Sequence, residues 1–134
     1  MTALFADSFY FFALVSANDP AHARAAAFTA SFKGTLLTTA WVLTELADGL
    51  ARPLARRAVF LQILADLRTR PTVTIVPATD QLLQDGIDLY SRRPDKEWSL
   101  TDCISFVVMT REGITEALTG DHHFEQAGFA ALLK

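Results

Sequence analysis

Met1-Thr2-Ala3-Leu4-Phe5-Ala6-Asp7-Ser8-Phe9-Tyr10-Phe11-Phe12 opens the chain, and its reading decides the fold. Residues 3–6 are a short apolar run that stops at an acid, which predicts a buried strand with Asp7 at its C-terminal end. Residues 9–17 are apolar nearly all round, as suits a helix packed against a sheet. Asp7 is the odd residue of this stretch. It sits between two apolar segments, and an unpaired buried charge is costly. It therefore needs a partner: an arginine, a metal or a hydrogen-bonded network.

Outward from this start, strands and helices alternate. Asn18-Asp19-Pro20 breaks the chain, with Asp19 as an N-cap and Pro20 at the first helical position. Residues 22–32 are Ala-rich and helical, Gly34 closes that helix, and residues 35–39 predict a second strand. Val42, Leu46 and Leu50 give helical spacing over residues 41–51. Pro53 begins the next helix, with Leu54, Ala58, Leu61, Leu64 and Leu67 on one face. Residues 73–76 form a β-branched strand between Pro71 and Pro77. Thr79 caps a helix that runs to about Arg92, residues 93–98 are a polar loop, and Ser99 opens a helix through Thr110. Residues 116–119 predict a short strand before Gly120, and residues 129–132 a last one. The alternation places the chain in the α/β class with a mainly parallel sheet. With no repeat, low-complexity tract or internal linker, residues 1–134 are expected to form a single domain.

Composition narrows the class further. Hydrophobic residues make up 51% of the 134, enough for a substantial core and too many for a disordered chain. The net charge of −3 does not announce a nucleic-acid binder, but local fields matter more than totals. Cys103 is the only cysteine, so no internal disulfide can form and no Cys/His zinc spacing exists. The N-terminus has no basic region to suggest a secretory signal, and its apolar run is interrupted by Asp7, far short of a membrane span. A soluble, cytoplasmic protein is expected.

Four acids fall where ligands bind in an open parallel sheet, beyond the C-terminal ends of the strands. Asp7 ends the first strand. Glu45 lies a little over a turn into the helix after the second. Asp102 lies in the first turn of a helix, and Asp121 follows the strand at 116–119. Individually, three of them have ordinary explanations. Ser99-Leu100-Thr101-Asp102 fits a capping box, Glu45 could face solvent, and Thr119-Gly120-Asp121-His122 could be a turn. Together they would repel unless matched by hard divalent cations, which prefer oxygen ligands. Mg²⁺ or Mn²⁺ held in this way can activate water and stabilise charge on a phosphodiester. These considerations permit such a site without selecting it.

At these residues the sequence resembles the PIN-domain ribonucleases, specifically the VapC type of toxin–antitoxin systems. Three segments carry the resemblance. One is the N-terminal strand ending in Asp7. The second and most specific is Asp95-Lys96-Glu97-Trp98-Ser99-Leu100-Thr101-Asp102-Cys103-Ile104-Ser105-Phe106 with Val107-Val108-Met109. The third is Thr119-Gly120-Asp121-His122-His123-Phe124, continuing to Gly128-Phe129. Thr44-Glu45-Leu46-Ala47-Asp48 fits the family's second acidic position. The resemblance implies a three-layer α/β/α sandwich that cuts RNA with metal-activated water. It implies that Asp7, Glu45, Asp102 and Asp121 bind one or two Mg²⁺ or Mn²⁺ ions, with Ser99 and Thr119 as hydroxyl supports. It also implies a homodimer partnered by a small antitoxin protein, for which the apolar helices at residues 9–17 and 59–67 are candidate surfaces. One departure is visible: the family often has a small polar residue two positions after its first Asp, where this chain has Phe9, and Ser8 is the nearer hydroxyl.

Other residues have two readings each. His122 and His123 could contact phosphate or assist a proton transfer, but adjacent histidines on a turn more often do neither. Cys103 reads as a small core residue, and Trp41 and Trp98 as core or interface rather than base-stacking groups. Arg92, Arg93 and Lys96 form one basic patch, a possible RNA contact, and Arg52, Arg56 and Arg57 form another. Each is as well explained as a solvated face. The main alternative function is a non-catalytic PIN-like module that binds RNA or protein, against which the retention of all four acids counts. A phosphoacceptor signalling domain needs paired acids after the first strand and a late lysine near the pocket. Here Asp7 stands alone, and the only lysines are Lys33, Lys96 and Lys134. No Gly-rich phosphate loop follows the first strand, which disfavours nucleotide-binding enzymes.

Overall fold

A computed structural model describes residues 2–134. The chain begins with β1 (Ala3–Ala6), α1 (Ser8–Val15) and α2 (His22–Ser31), then β2 (Thr35–Thr39) with α3 (Ala40–Gly49) and α4 (Leu54–Thr69). It continues through β3 (Val73–Val76), α5 (Asp80–Arg92) and α6 (Leu100–Glu112) to β4 (Glu116–Leu118), α7 (His122–Gln126) and β5 (Ala130–Ala131). The strands pair in the order β3-β2-β1-β4-β5, every pair parallel. Phe5 lies opposite Leu37 on one side and Ala117 on the other, so β1 is the central strand. A central strand of a parallel sheet whose two faces are covered by helices must be apolar on both. Leu4, Phe5 and Ala6 are accordingly all buried. With helices covering this parallel sheet, the architecture is the α/β/α sandwich that the sequence implied.

Two features of the packing fix the ends of the strands near β1 and β4. Thr38 donates its hydroxyl to the Ala6 carbonyl at 2.9 Å, tying β2 to the last residue of β1. An aromatic cluster holds α6 against α7: Phe106 meets Phe124 edge-on at 4.9 Å and Trp98 at 5.0 Å. Trp98 is buried and donates its indole N–H to Gln126 at 3.0 Å. Its ring is therefore core, as is the Cys103 thiol. Trp41 is half-buried and packs on the same core. Burial of Trp98 leaves no free face of the kind that stacking on bases requires.

Several local expectations are corrected. Asp19 does not cap α2; its carboxylate accepts from the Ala21 N–H at 2.8 Å, making a turn before the helix, and Ala21 stands at the N-cap. Pro20 accordingly precedes the helix. Gly34 is not a helix cap either, since α2 closes at Phe32 in extended conformation. Gly34 is needed for close approach instead: a Cβ there would fall 2.1 Å from the Thr2 carbonyl oxygen. In α4 the packing face is Phe60, Ile63, Leu64 and Leu67, whereas Leu54 and Leu61 are 80% and 61% exposed and Ala58 is exposed too. The helix has apolar residues on more than one side, so spacing alone does not identify the inward stripe. The apolar helix expected at residues 9–17 ends at Val15, and its Tyr10, Phe11 and Ala13 are buried in the core. His122, the last residue of the candidate turn Thr119-Gly120-Asp121-His122, opens the short helix α7. No helix among the described residues is long and apolar enough to cross a membrane.

Candidate active site

Chain order reverses across β1: β2 and β3 lie to one side, β4 and β5 to the other. The carboxyl end of such a switch point is an open crevice, because the connections leave it in opposite directions. Asp7 leaves β1 at this point, and Thr119 and Asp121 leave β4. Glu45 reaches it from the second turn of α3 and Asp102 from the first turn of α6. Each of the four carboxylates raises, or is raised by, the charge of at least two of the others. Among the described residues no lysine or arginine lies within 4.0 Å of any of them.

Asp7 is 5% exposed, and its carboxylate accepts the Thr119 hydroxyl at 2.8 Å. Burial pushes its pKa up to about 7, held back by the Thr119 hydrogen bond and raised further by Asp102 and Glu45. Of the three partners the sequence allowed, the hydrogen-bonded network is the one present in the chain itself. Thr119 is its hinge. The hydroxyl that donates to Asp7 also accepts the Asp121 N–H at 3.0 Å, so one buried side chain orients acids from two strand ends.

Glu45 is half-buried and accepts the Ser8 hydroxyl. Burial raises its pKa, with Ser8 lowering it and Asp102 and Asp121 raising it. The expected capping box is present: the Asp102 N–H donates to the Ser99 hydroxyl oxygen at 3.0 Å, and the Ser99 N–H donates to the Asp102 carboxylate at 3.2 Å. Asp102 is nonetheless raised, first by burial, with Asp121 adding and Ser99 and His123 opposing. Its carboxylate thus serves the helix start and the crevice together. Asp121 caps α7 by accepting the His123 N–H at 2.9 Å.

His123, weighed in the sequence only as one of two histidines beside Asp121, also reaches Asp102. Its Nδ1 lies 3.1 Å from Asp102 Oδ2 and 3.4 Å from Asp121 Oδ1. The available signal was its position two residues after an acid that could cap a helix. His122, by contrast, is exposed. The basic patch is weaker than its composition suggests. Arg93 is spent on a two-point pair with Asp95, 3.0 Å for each bond, and lies over the Trp98 ring at 5.0 Å. Arg92 and Lys96 make no ion pair among the described residues.

Phe9, the departure noted in the sequence, has a steric counterpart. A Cβ on Gly120 would fall 2.5 Å from the edge of the Phe9 ring. Phe9 therefore packs on the bare backbone between Thr119 and Asp121, and Ser8 supplies the hydroxyl for Glu45. Gly120→Val is expected to destabilise the fold by about 1–3 kcal/mol through overpacking. Urea unfolding of Gly120→Val alone and combined with Phe9→Ala checks this, with the smaller ring partner recovering part of the loss.

In donor chemistry the set suits a hard divalent cation, although among the described residues no three of the four carboxylates stand within 4.8 Å of one another. It consists of four carboxylates, three with pKa values pushed up by burial and by one another, with no arginine or lysine to offset them. The PIN domain profile matches residues 4–130, and the chain belongs to the PIN-domain family. Within it, the relatives are of the VapC type. The chain is 31% identical over 126 residues to the 23S rRNA-specific endonuclease VapC20 of Mycobacterium tuberculosis, covering 94% of this chain and 95% of that one. The crystal structure of that protein, described as a sarcin–ricin loop cleaving toxin, superposes with a TM-score of 0.83 at 29% identity, over 95% of this chain and 96% of the other. The crystal structure of FitAcB from Neisseria gonorrhoeae shares the fold at a TM-score of 0.68 and 17% identity, over 96% and 94% of the two chains.

Proposed function

We propose that the protein is a metal-dependent endoribonuclease, the toxin of a type II toxin–antitoxin pair. The convergence of Asp7, Glu45, Asp102 and Asp121 on one crevice, with no lysine or arginine paired to them among the described residues, carries the reading. In it these four residues hold Mg²⁺ or Mn²⁺. The bound cation supplies an activated water and neutralises charge developing on the phosphodiester. The protein's own part is positioning. Thr119 fixes Asp7 and the backbone of Asp121, the Ser8 hydroxyl fixes Glu45, and the Ser99 backbone N–H fixes the Asp102 carboxylate. No side chain is required as general base. Lys96 lines the same surface cavity as Ser99 and, with Arg92 nearby in sequence, is the side chain for a phosphate contact.

The specificity of VapC20 for 23S rRNA makes ribosomal RNA the first substrate to test. A toxin of this kind acts in the cytoplasm, is held by an antitoxin that covers the acidic crevice, and forms a homodimer. The non-catalytic alternative gains no support from a site that keeps all four carboxylates. Incubating purified protein with ribosomes and Mg²⁺ tests the reading: cleavage at discrete sites supports it, and intact RNA at every protein concentration opposes it. Thr119→Val removes the hydroxyl while keeping the shape. It is expected to lower cleavage about 10- to 100-fold, as loss of a group that orients a metal ligand does, with the melting temperature reporting an intact fold.

A further inference from the structure

Asp121, His122 and His123 stand together where β4 runs into α7, and each offers a ligand atom within 4.8 Å of the other two. His123 Nδ1 lies 3.4 Å and His122 Nδ1 3.7 Å from the same Asp121 oxygen. Two donors bound to one tetrahedral zinc ion at about 2.0–2.1 Å stand roughly 3.3–3.4 Å apart, so these pairs are within a few tenths of an ångström of chelating geometry. The two imidazoles are neighbours, with ring centroids 4.5 Å apart. His123 Nδ1 is also hydrogen-bonded to Asp102 Oδ2 on α6 at 3.1 Å, a contact that a cation bound at this nitrogen would replace. Nitrogen donors matter because Mg²⁺ disfavours them, whereas imidazole with carboxylate suits Zn²⁺.

We propose that Asp121, His122 and His123 form a second cation site that takes Zn²⁺ in preference to Mg²⁺, adjoining the carboxylate cluster and sharing Asp121 with it. His122 is not among the four acids that the nuclease reading uses, and its side chain is 64% exposed, so its role here is open to a clean test. The experiment is calorimetric titration of purified full-length protein with Zn²⁺ alone, using wild type, His122→Ala and Asp7→Asn. Wild type is expected to bind Zn²⁺, His122→Ala to bind it about tenfold more weakly or worse, and Asp7→Asn to stay within about threefold of wild type. Titration of the wild type with Mg²⁺ should be unchanged by His122→Ala. The proposal is overturned by absent Zn²⁺ binding, by equal affinity in His122→Ala, or by loss of binding in Asp7→Asn, which would put the zinc among the carboxylates. Metal binding is the readout, so a failure here leaves the nuclease reading standing; cleavage by Asp7→Asn tests that reading separately.

Discussion

Asp7→Asn is expected to lower RNA cleavage about a thousandfold while making the metal-free protein more stable at neutral and alkaline pH. The two effects have one cause. Asp7 is buried, its charge is wanted only by a cation, and without one burial pushes its pKa up to about 7 from the ordinary aspartate value of 3.8. Between these values the folded state binds a proton that the unfolded state releases. Wild-type stability therefore falls as pH rises from about 4 to about 7, by on the order of 4 kcal/mol in total. Asparagine keeps the shape and the reach to Thr119 without the charge. Its advantage should be full above about pH 7 and vanish below about pH 4. Urea unfolding in EDTA at about pH 8 and pH 4 checks the sign: a variant less stable than wild type at the higher pH contradicts the buried-charge account. Mg²⁺ should stabilise wild type more than the variant, because a ligand that binds only the folded state adds to its stability.

Asp102 separates two duties that Asp7 does not have. Asp102→Asn and Asp102→Ala should both lose cleavage about as completely as Asp7→Asn. Their effects on the fold should differ. The asparagine oxygen can still accept the Ser99 N–H, which Asp102 now accepts at 3.2 Å, and removal of a raised carboxylate offsets the remaining loss. Alanine leaves that N–H without its partner and should cost about 0.5–2 kcal/mol, the usual range for a lost helix cap. Cleavage assays paired with thermal melts of both variants distinguish the duties. Equal melting temperatures would mean that the capping box contributes nothing to α6.

The elements that could be read from the sequence are those whose signals are contiguous. The run into Asp7, the box from Ser99 to Asp102 and the β-branched strand between Pro71 and Pro77 each carry their explanation in a few neighbouring residues. Asp7 was legible as a site residue because nothing local could satisfy a buried charge there. What neutralises its isolation was not legible, since Thr119 is 112 positions away and only the pairing of β1 with β4 brings its hydroxyl to 2.8 Å. The same holds for Ser8 and Glu45, which meet through the packing of α1 on α3. α7 is too short to show a helical period, so His123 looked like one of two histidines on a turn. The error in α4 has the opposite origin. There the apolar residues are too many, and only the neighbours decide that Phe60 and Leu64 face in while Leu54 and Leu61 face out. Arg93 illustrates the limit for charge patches, whose net effect depends on pairs such as Arg93–Asp95.

The central claim is that four carboxylates at one crevice make a cation-dependent nuclease. Its most direct test is cleavage of ribosomal RNA by purified protein in Mg²⁺ or Mn²⁺, in EDTA, and in EDTA followed by excess metal, with Asp7→Asn and Asp102→Asn run beside wild type. The expected result is discrete cleavage by wild type with metal, none in EDTA, recovery on adding metal back, and silence from both variants. Undiminished cleavage in EDTA, or by either variant, would contradict the claim.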